Sequence, residues 1–175
     1  MINHTVDRLR LTQIIFGLTA WLLAMAVGSP AGAAVIGPGS GIASVTPGTA
    51  VVAEPGTWSI VYDAEDNFTN GTIRVEIPAG WTPPQDTNPT APGYVTVSSD
   101  HGGANPTLAI AGQVVTISIV DLPKKIVTLV YGDDSAGANP GARAIPPTTA
   151  EAGVEFVVES DPTGTLTVPL ILGPG

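Results

Sequence analysis

The chain contains no cysteine. Exported proteins commonly gain stability from disulfides, so this chain has to rely on packing alone. The same absence excludes thiolate catalysis, zinc–thiolate sites and a lipid anchor attached to a cysteine. A cysteine-free exported chain is also more typical of a bacterium than of an animal cell surface.

Basic residues are scarce as well. There are 6 lysines and arginines against 15 aspartates and glutamates, which gives a formal net charge of -9. A surface this negative repels the phosphates of nucleic acids and the headgroups of anionic lipids, which argues against partners of either class. It is compatible with solubility, with divalent cations and with an extracellular setting.

Long apolar runs are lacking apart from one near the N terminus. Arg8 and Arg10 precede an apolar stretch over 14–27, and helix-breaking and small residues follow it. This order is typical of a secretory signal peptide. The stretch is shorter than the ~18–20 residues that span a bilayer, so no membrane insertion is expected after cleavage. We predict a signal helix over 1–33, cleavage after Ala33, and an extracellular or cell-surface location.

Helical periodicity is absent beyond the signal, where glycine, proline, threonine, valine and alanine dominate. Short alternating segments separated by turn residues recur instead, which is typical of an all-β sandwich or barrel. Gly112-Gln113 between two of these segments indicates a tight hairpin. The alternating segments are Trp58–Tyr62, Ile73–Ile77, Tyr94–Val97, Leu108–Ala111, Val114–Val120, Ile126–Tyr131, Val154–Val158 and Thr165–Leu172.

About seven to nine such strands fit an immunoglobulin-like antiparallel β-sandwich. The chain beyond the signal is long enough for one hydrophobic core. We therefore divide it into the signal peptide, a flexible linker over 34–40, one sandwich over 41–172 and a short tail over 173–175.

The sandwich region carries three distinctive segments, Ile77–Thr82, Asn88–Val95 and Val130–Asp133. In this order and spacing they resemble the immunoglobulin-like modules of bacterial surface and secreted proteins. The resemblance runs from about Gly41 to Leu172. It implies a spacer, an adhesive surface or an assembly unit without catalytic residues. The partner it implies is a protein or a component of the extracellular matrix or cell envelope.

The best candidate for chemistry is a set of acidic residues in two loops. Asp63, Glu65 and Asp66 follow one strand, and Asp133 and Asp134 follow another. If these strands occupy the B and F positions of an immunoglobulin sandwich, both loops lie at the same end. Calcium takes six to eight oxygen ligands, which two carboxylate-rich loops can supply. The alternative is that these loops are simply solvated, and no cofactor other than calcium is predicted.

Catalytic constellations have little support in this sequence. Ser98–His101 places a hydroxyl, a carboxylate and an imidazole in one stretch, but a triad normally draws its members from separate segments. We interpret this stretch as a turn whose short side chains bond the backbone. Asp63 and Asp66 are a carboxylate pair of the kind that hydrolyses glycosides, but a small sandwich without an aromatic cleft does not favour it. We therefore predict that the chain is not an enzyme.

Two further features leave alternatives open. Trp81 and Tyr94 are either core and corner residues of the sandwich or platforms on which a sugar stacks. The apolar final strand either completes its own sandwich or pairs with the edge of a second copy to form a homo-oligomer, since Pro169 belongs at an edge or a bulge. The sequence thus favours a structural or adhesive module that acts through contacts, and self-assembly by strand addition is an open alternative for its final strand. The alternative is a small calcium- or carbohydrate-binding domain.

Overall fold

The structure is a computed structural model that describes residues 33–36, 39–135 and 139–164. The expected signal helix before residue 33 and the strand predicted over Thr165–Leu172 lie outside these residues. The described part of the chain is all-β, as predicted, and its one helical turn is a 3-10 helix over Pro140–Ala142. Its strands are β1 Ala33–Ile36, β2 Gly41–Thr46, β3 Trp58–Ala64, β4 Asn67–Glu76, β5 Val95–Ser99, β6 Thr107–Ala111, β7 Val114–Pro123, β8 Ile126–Tyr131 and β9 Phe156–Asp161.

These strands form two sheets that pack face to face as a β-sandwich. The larger sheet has five strands in the order β1-β9-β4-β7-β6, and the smaller sheet has four in the order β2-β3-β8-β5. Neighbouring strands are antiparallel, except that β1 runs parallel to β9. The predicted two-sheet sandwich is therefore confirmed.

Alternating side chains explain why these segments form strands with one buried face. In β3, Trp58, Ile60 and Tyr62 are buried, while the residues between them are half-buried or exposed. In β4, Ile73 and Val75 follow the same pattern. The inward residues of both sheets form one hydrophobic core, as the alternation in the sequence predicts.

The predicted hairpin at Gly112-Gln113 is confirmed. Ala111 at the end of β6 lies opposite Val114 at the start of β7, so the loop has two residues. Gly112 has a φ of 59°. A positive φ at the first central residue is what a type II′ turn requires, and glycine adopts it without a steric penalty.

Part of the segment that we expect to be a linker is attached to the sandwich. Residues 34–36 pair with residues 157–159 of β9. The Gly39 N–H then donates to the Ser160 carbonyl at 3.2 Å. The sandwich therefore begins before residue 41, and β1 covers the outer edge of β9.

The two ends of the sandwich differ in their packing. At the end where β3 and β9 begin, which we call the aromatic pole, Trp58, Trp81, Tyr131 and Phe156 form a cluster of rings. The Trp81 ring centroid lies 4.7 Å from that of Trp58 and 5.4 Å from that of Phe156. We call the opposite end, where β3 and β9 end, the far pole.

The loop between β4 and β5 has a defined shape that Gln85 holds. Its Nε2 donates to the carbonyls of Asn88 and Ala91 at 2.8 and 3.1 Å. Its Oε1 accepts from the N–H groups of Thr87 and Asn88 at 3.0 and 2.8 Å. Its own N–H donates to the Gly93 carbonyl at 3.0 Å, which closes the loop at its base.

Candidate functional site

The first acidic group lies at the far pole, with Asp63 near the end of β3 and Glu65 and Asp66 just after it. Asp66 accepts hydrogen bonds from the N–H and the hydroxyl of Ser40 at 2.5 and 2.9 Å. These bonds lower the pKa of Asp66, because they favour its charged form. Asp63 and Glu65 are exposed. Asp66 therefore serves to hold the connection that leads into β2.

The second acidic group lies at the aromatic pole, just after β8. Asp133 accepts from the Thr96 hydroxyl at 2.5 Å and from the Ser135 N–H at 2.9 Å. Burial disfavours the charged form of Asp133, but these hydrogen bonds outweigh it and hold its pKa below its usual value. Asp134 accepts from the Arg143 Nε at 2.7 Å. Both carboxylates are thus engaged by neighbouring residues.

The structure does not bring the two acidic groups together. β3 and β8 are antiparallel neighbours in one sheet, with Trp58 opposite Tyr131 and Asp63 opposite Ile126. The loop after β3 and the loop after β8 therefore lie at opposite ends, separated by about 17 Å of strand. This corrects the expectation that the loops share one end. Among the described residues, no three acidic or histidine side chains are grouped as a metal site.

The stretch Ser98–His101 lies at the far pole, where Ser98 and Ser99 end β5 and the chain turns from Asp100 onward, so the predicted turn is confirmed only for the second half of the stretch. The Ser99 hydroxyl donates to the Ile126 carbonyl at 3.0 Å and accepts from the His101 N–H at 3.1 Å. Asp100 accepts from the Ile126 N–H at 2.8 Å. His101 instead faces Asp121, with its Nε2 3.6 Å from the carboxylate. The Ser99 hydroxyl proton is therefore directed at a carbonyl and not at the imidazole.

Trp81 is a core residue of the aromatic pole. It is 7% exposed, and the edges of Trp58 and Phe156 pack against it in T-shaped contacts. Tyr131, another ring of the cluster, donates its hydroxyl proton to the Thr82 carbonyl. Burial raises the pKa of the Tyr131 hydroxyl. The cluster thus closes this end of the sandwich, which is the position that the sequence predicts for Trp81.

Above this cluster lies a cleft of about 450 Å³. Its floor is formed by Trp58, Trp81 and Phe156, and its walls come from segments 47–52 and 146–154. Sequence reasoning missed this cleft because its walls are two loops that stand a hundred residues apart. Both segments are rich in proline, alanine and glycine, and this composition indicates that each is a loop. It does not indicate that the two loops lie next to each other.

The cleft is apolar at its floor and at its rim. Val52 on the first wall is 43% exposed, and the neighbouring Val51, which does not line the cleft, is 62% exposed. Glu151 is the one ionisable residue of the described lining, and Thr49 and Thr149 supply hydroxyl groups. The arrangement is suited to holding an apolar side chain or chain segment.

Comparisons of the chain with protein-family models, curated proteins and solved structures find no match. The described residues include no helix of the length and apolarity that a membrane span requires.

Proposed function

We propose that the chain is an exported, non-enzymatic structural or adhesive module of immunoglobulin-like type, which acts through contacts with a protein or a matrix component. The cleft at the aromatic pole is the observation that supports this proposal. The exposed Val52 lines an apolar floor there, with the exposed Val51 beside it in the chain, and exposed apolar surface next to a cleft is typical of a contact site. Bacterial origin and export follow from the sequence pattern and belong to the same proposal.

The alternatives have less support from the packing. A sugar-binding platform needs an open aromatic face, and Trp81 is 7% exposed between two other rings. A calcium site needs converging carboxylates, and the two acidic loops lie at opposite poles. We therefore place the contact surface at the rim of the cleft.

The contact proposal is tested with the purified full chain and envelope material from cells that export it. Val52→Asp puts a charge on the rim, and Val120→Asp puts the same charge on an exposed position of β7 away from the cleft. We expect the rim variant to bind the envelope at least about tenfold more weakly, because the partner would have to desolvate the charge. Co-sedimentation measures the affinity. Equal binding of rim variant and parent, or an equal loss in Val120→Asp, would refute the assignment.

Export is tested separately by recovering the protein from the medium and the cell surface. We expect Ala34 as the first residue of the recovered chain by N-terminal sequencing, because cleavage is predicted after Ala33. Recovery only inside the cell, with Met1 at the N terminus, would contradict the export part of the proposal.

A further inference from the structure

Two Asn-x-Thr motifs lie in β4, at residues 67–69 and 70–72. The asparagine of such a motif is the acceptor of N-linked sugars in exported proteins, provided that the middle residue is not proline. The middle residues here are Phe68 and Gly71. Both motifs therefore meet the chemical requirement, and the fold decides which of them a transferase can reach.

The first motif presents both of its reactive side chains to solvent. Phe68 is buried in the core, so the side chains before and after it point to the opposite face of the strand. Asn67 and Thr69 are accordingly exposed. The Thr69 backbone N–H donates to the Pro162 carbonyl at 2.8 Å, but no hydrogen bond from the described residues engages the Asn67 amide or the Thr69 hydroxyl. Both groups are therefore free to contact an enzyme from the same side of the strand.

The first motif also lies at the margin of the fold. Asn67 begins β4 and follows the Glu65-Asp66 corner, where the chain passes from the smaller sheet to the larger one. Residues 67–69 pair with the end of β7, and the pairing of β4 with β9 starts only at Thr72. The strand that carries the first motif is therefore paired on one side and is reached from the other.

The second motif is held inside the sheet. Its Thr72 is half-buried and pairs with Ser118 of β7 on one side and with Asp161 of β9 on the other. Gly71 is buried, and a Cβ there would lie 2.6 Å from the Asp161 carbonyl oxygen. A transferase has to contact the threonine hydroxyl as well as the asparagine, so this part of β4 would have to leave the sheet. Asn70 is exposed, but its motif as a whole is not accessible in the folded chain.

We propose that Asn67 is an acceptor of an N-linked sugar and that Asn70 is not used in the folded chain. The inference rests on the export part of the proposed function, because such sugars belong to exported proteins. The donor is a sugar linked through its C1 to a lipid pyrophosphate. The Asn67 Nδ2 bonds to C1 and gives up a proton to the transferase, the C1–O bond breaks, and the lipid pyrophosphate leaves with its electron pair.

The position of Asn67 separates the sugar from the contact surface. β4 begins at the far pole, next to the end of β3, whereas the cleft lies at the aromatic pole. An attached sugar is bulky and solubilising. At the far pole it would cover exposed surface without obstructing the cleft.

The test is the mass of the full chain recovered from the medium of cells that export it, followed by peptide mapping. We expect the parent to carry a sugar on the peptide that contains Asn67. Asn67→Gln and Thr69→Ala should lose it completely, and Thr69→Ser should retain it, because serine supplies the same hydroxyl group. Asn70→Gln is the matched control, since it makes the same amide substitution in the second motif, and it should retain the sugar. Circular dichroism checks that every variant is folded.

Four outcomes would overturn the proposal. An exported parent that begins at Ala34 and has an unmodified mass would refute the acceptor and leave export standing. A sugar that persists in Asn67→Gln would be attached elsewhere, and a sugar that is lost in Asn70→Gln would belong to the second motif. Recovery only inside the cell, with Met1 at the N terminus, would contradict export and the acceptor together.

Discussion

Trp81 is the residue that joins the two sheets at the aromatic pole. It comes from the loop after β4, and its ring contacts Trp58 and Tyr131 of the smaller sheet as well as Phe156 of the larger one. A large buried ring in contact with three others contributes both apolar burial and favourable edge-to-face geometry. The chain has no disulfide to compensate for its loss.

We expect Trp81→Ala to lower the free energy of unfolding by about 3–5 kcal/mol, because it leaves a cavity among the rings. Urea denaturation followed by circular dichroism measures the change. Val120, which is 54% exposed, provides the control: Val120→Ala should cost less than about 0.5 kcal/mol. Similar costs for the two variants would show that Trp81 does not support the core.

Asp133 makes stability depend on pH. Its pKa in the folded protein lies below its ordinary value of 3.8, which the unfolded chain retains. The group therefore stabilises the fold fully above that value, and the stabilisation is lost as the pH falls through the folded pKa. We expect Asp133→Asn to cost about 1–3 kcal/mol at neutral pH, and the difference from the parent to disappear in acid.

Urea denaturation over a series of pH values checks this expectation. Asp63→Asn is the matched control, since it removes the same charge at an exposed position. The free energy of unfolding of this control should stay within about 0.5 kcal/mol of that of the parent at every pH. A cost of Asp133→Asn that persists unchanged in acid would mean that packing, and not the charge, is responsible.

At the scale of elements, the end of β8 is where three chain segments meet. The N–H groups of Gly56 and Ala144 donate to each other's carbonyls at 2.8 and 2.9 Å, and this bridge passes directly over Gly132. A Cβ on Gly132 would lie 2.5 Å from both the Ala144 nitrogen and the Gly56 oxygen. Gly132 also has a φ of 75°, so it needs glycine for two separate reasons.

Gly112 has a positive φ like Gly132, but it lacks the steric restriction. Its φ is 59°, and a Cβ there would meet nothing within 4 Å. We expect Gly112→Ala to cost about 1–2 kcal/mol for the left-handed conformation alone. Gly132→Ala should cost about 1–3 kcal/mol more, because the two crossing backbones have to move apart. Thermal unfolding of both variants gives the comparison. An equal loss of stability in the two variants would show that the crossing backbones move apart without a measurable loss of free energy.

At the scale of the whole molecule, the strand order decides which loops share an end. Antiparallel pairing of β3 with β8 sends the Asp63–Asp66 loop and the Asp133–Asp134 loop to opposite poles. The carboxylates of Asp66, Asp133 and Asp134 are moreover engaged by neighbouring groups. The two acidic groups therefore carry their charges at opposite ends of the sandwich.

We expect the melting temperature to stay the same when calcium is added in millimolar amounts, since only a ligand that binds the folded state raises it. Magnesium at the same concentration is the control for ionic strength. An increase with calcium alone, abolished in Asp63→Asn with Asp66→Asn, would restore the calcium-binding alternative for the far pole.

Local patterns predicted β3 to β9, but not β1 or β2 and not the assembly of the sheets. The alternation around Trp58 and Ile73 and the glycine of the Gly112-Gln113 hairpin act over a few residues, so the sequence displays them directly. The neighbours of β3 are set by contacts between residues far apart in the chain, and nothing near Asp63 indicates that Ile126 lies opposite. This is also why the cleft and the separation of the acidic loops were not foreseen.

Gln85 has a consequence for engineering. The hydrogen bonds of the Gln85 side chain fix the path of the β4–β5 loop. Asp86 and Pro89 are exposed, and their side chains take no part in these bonds. The loop is therefore suited to displaying introduced side chains. Substitutions at these two positions would leave the loop conformation in place, because the hydrogen bonds of Gln85 determine it.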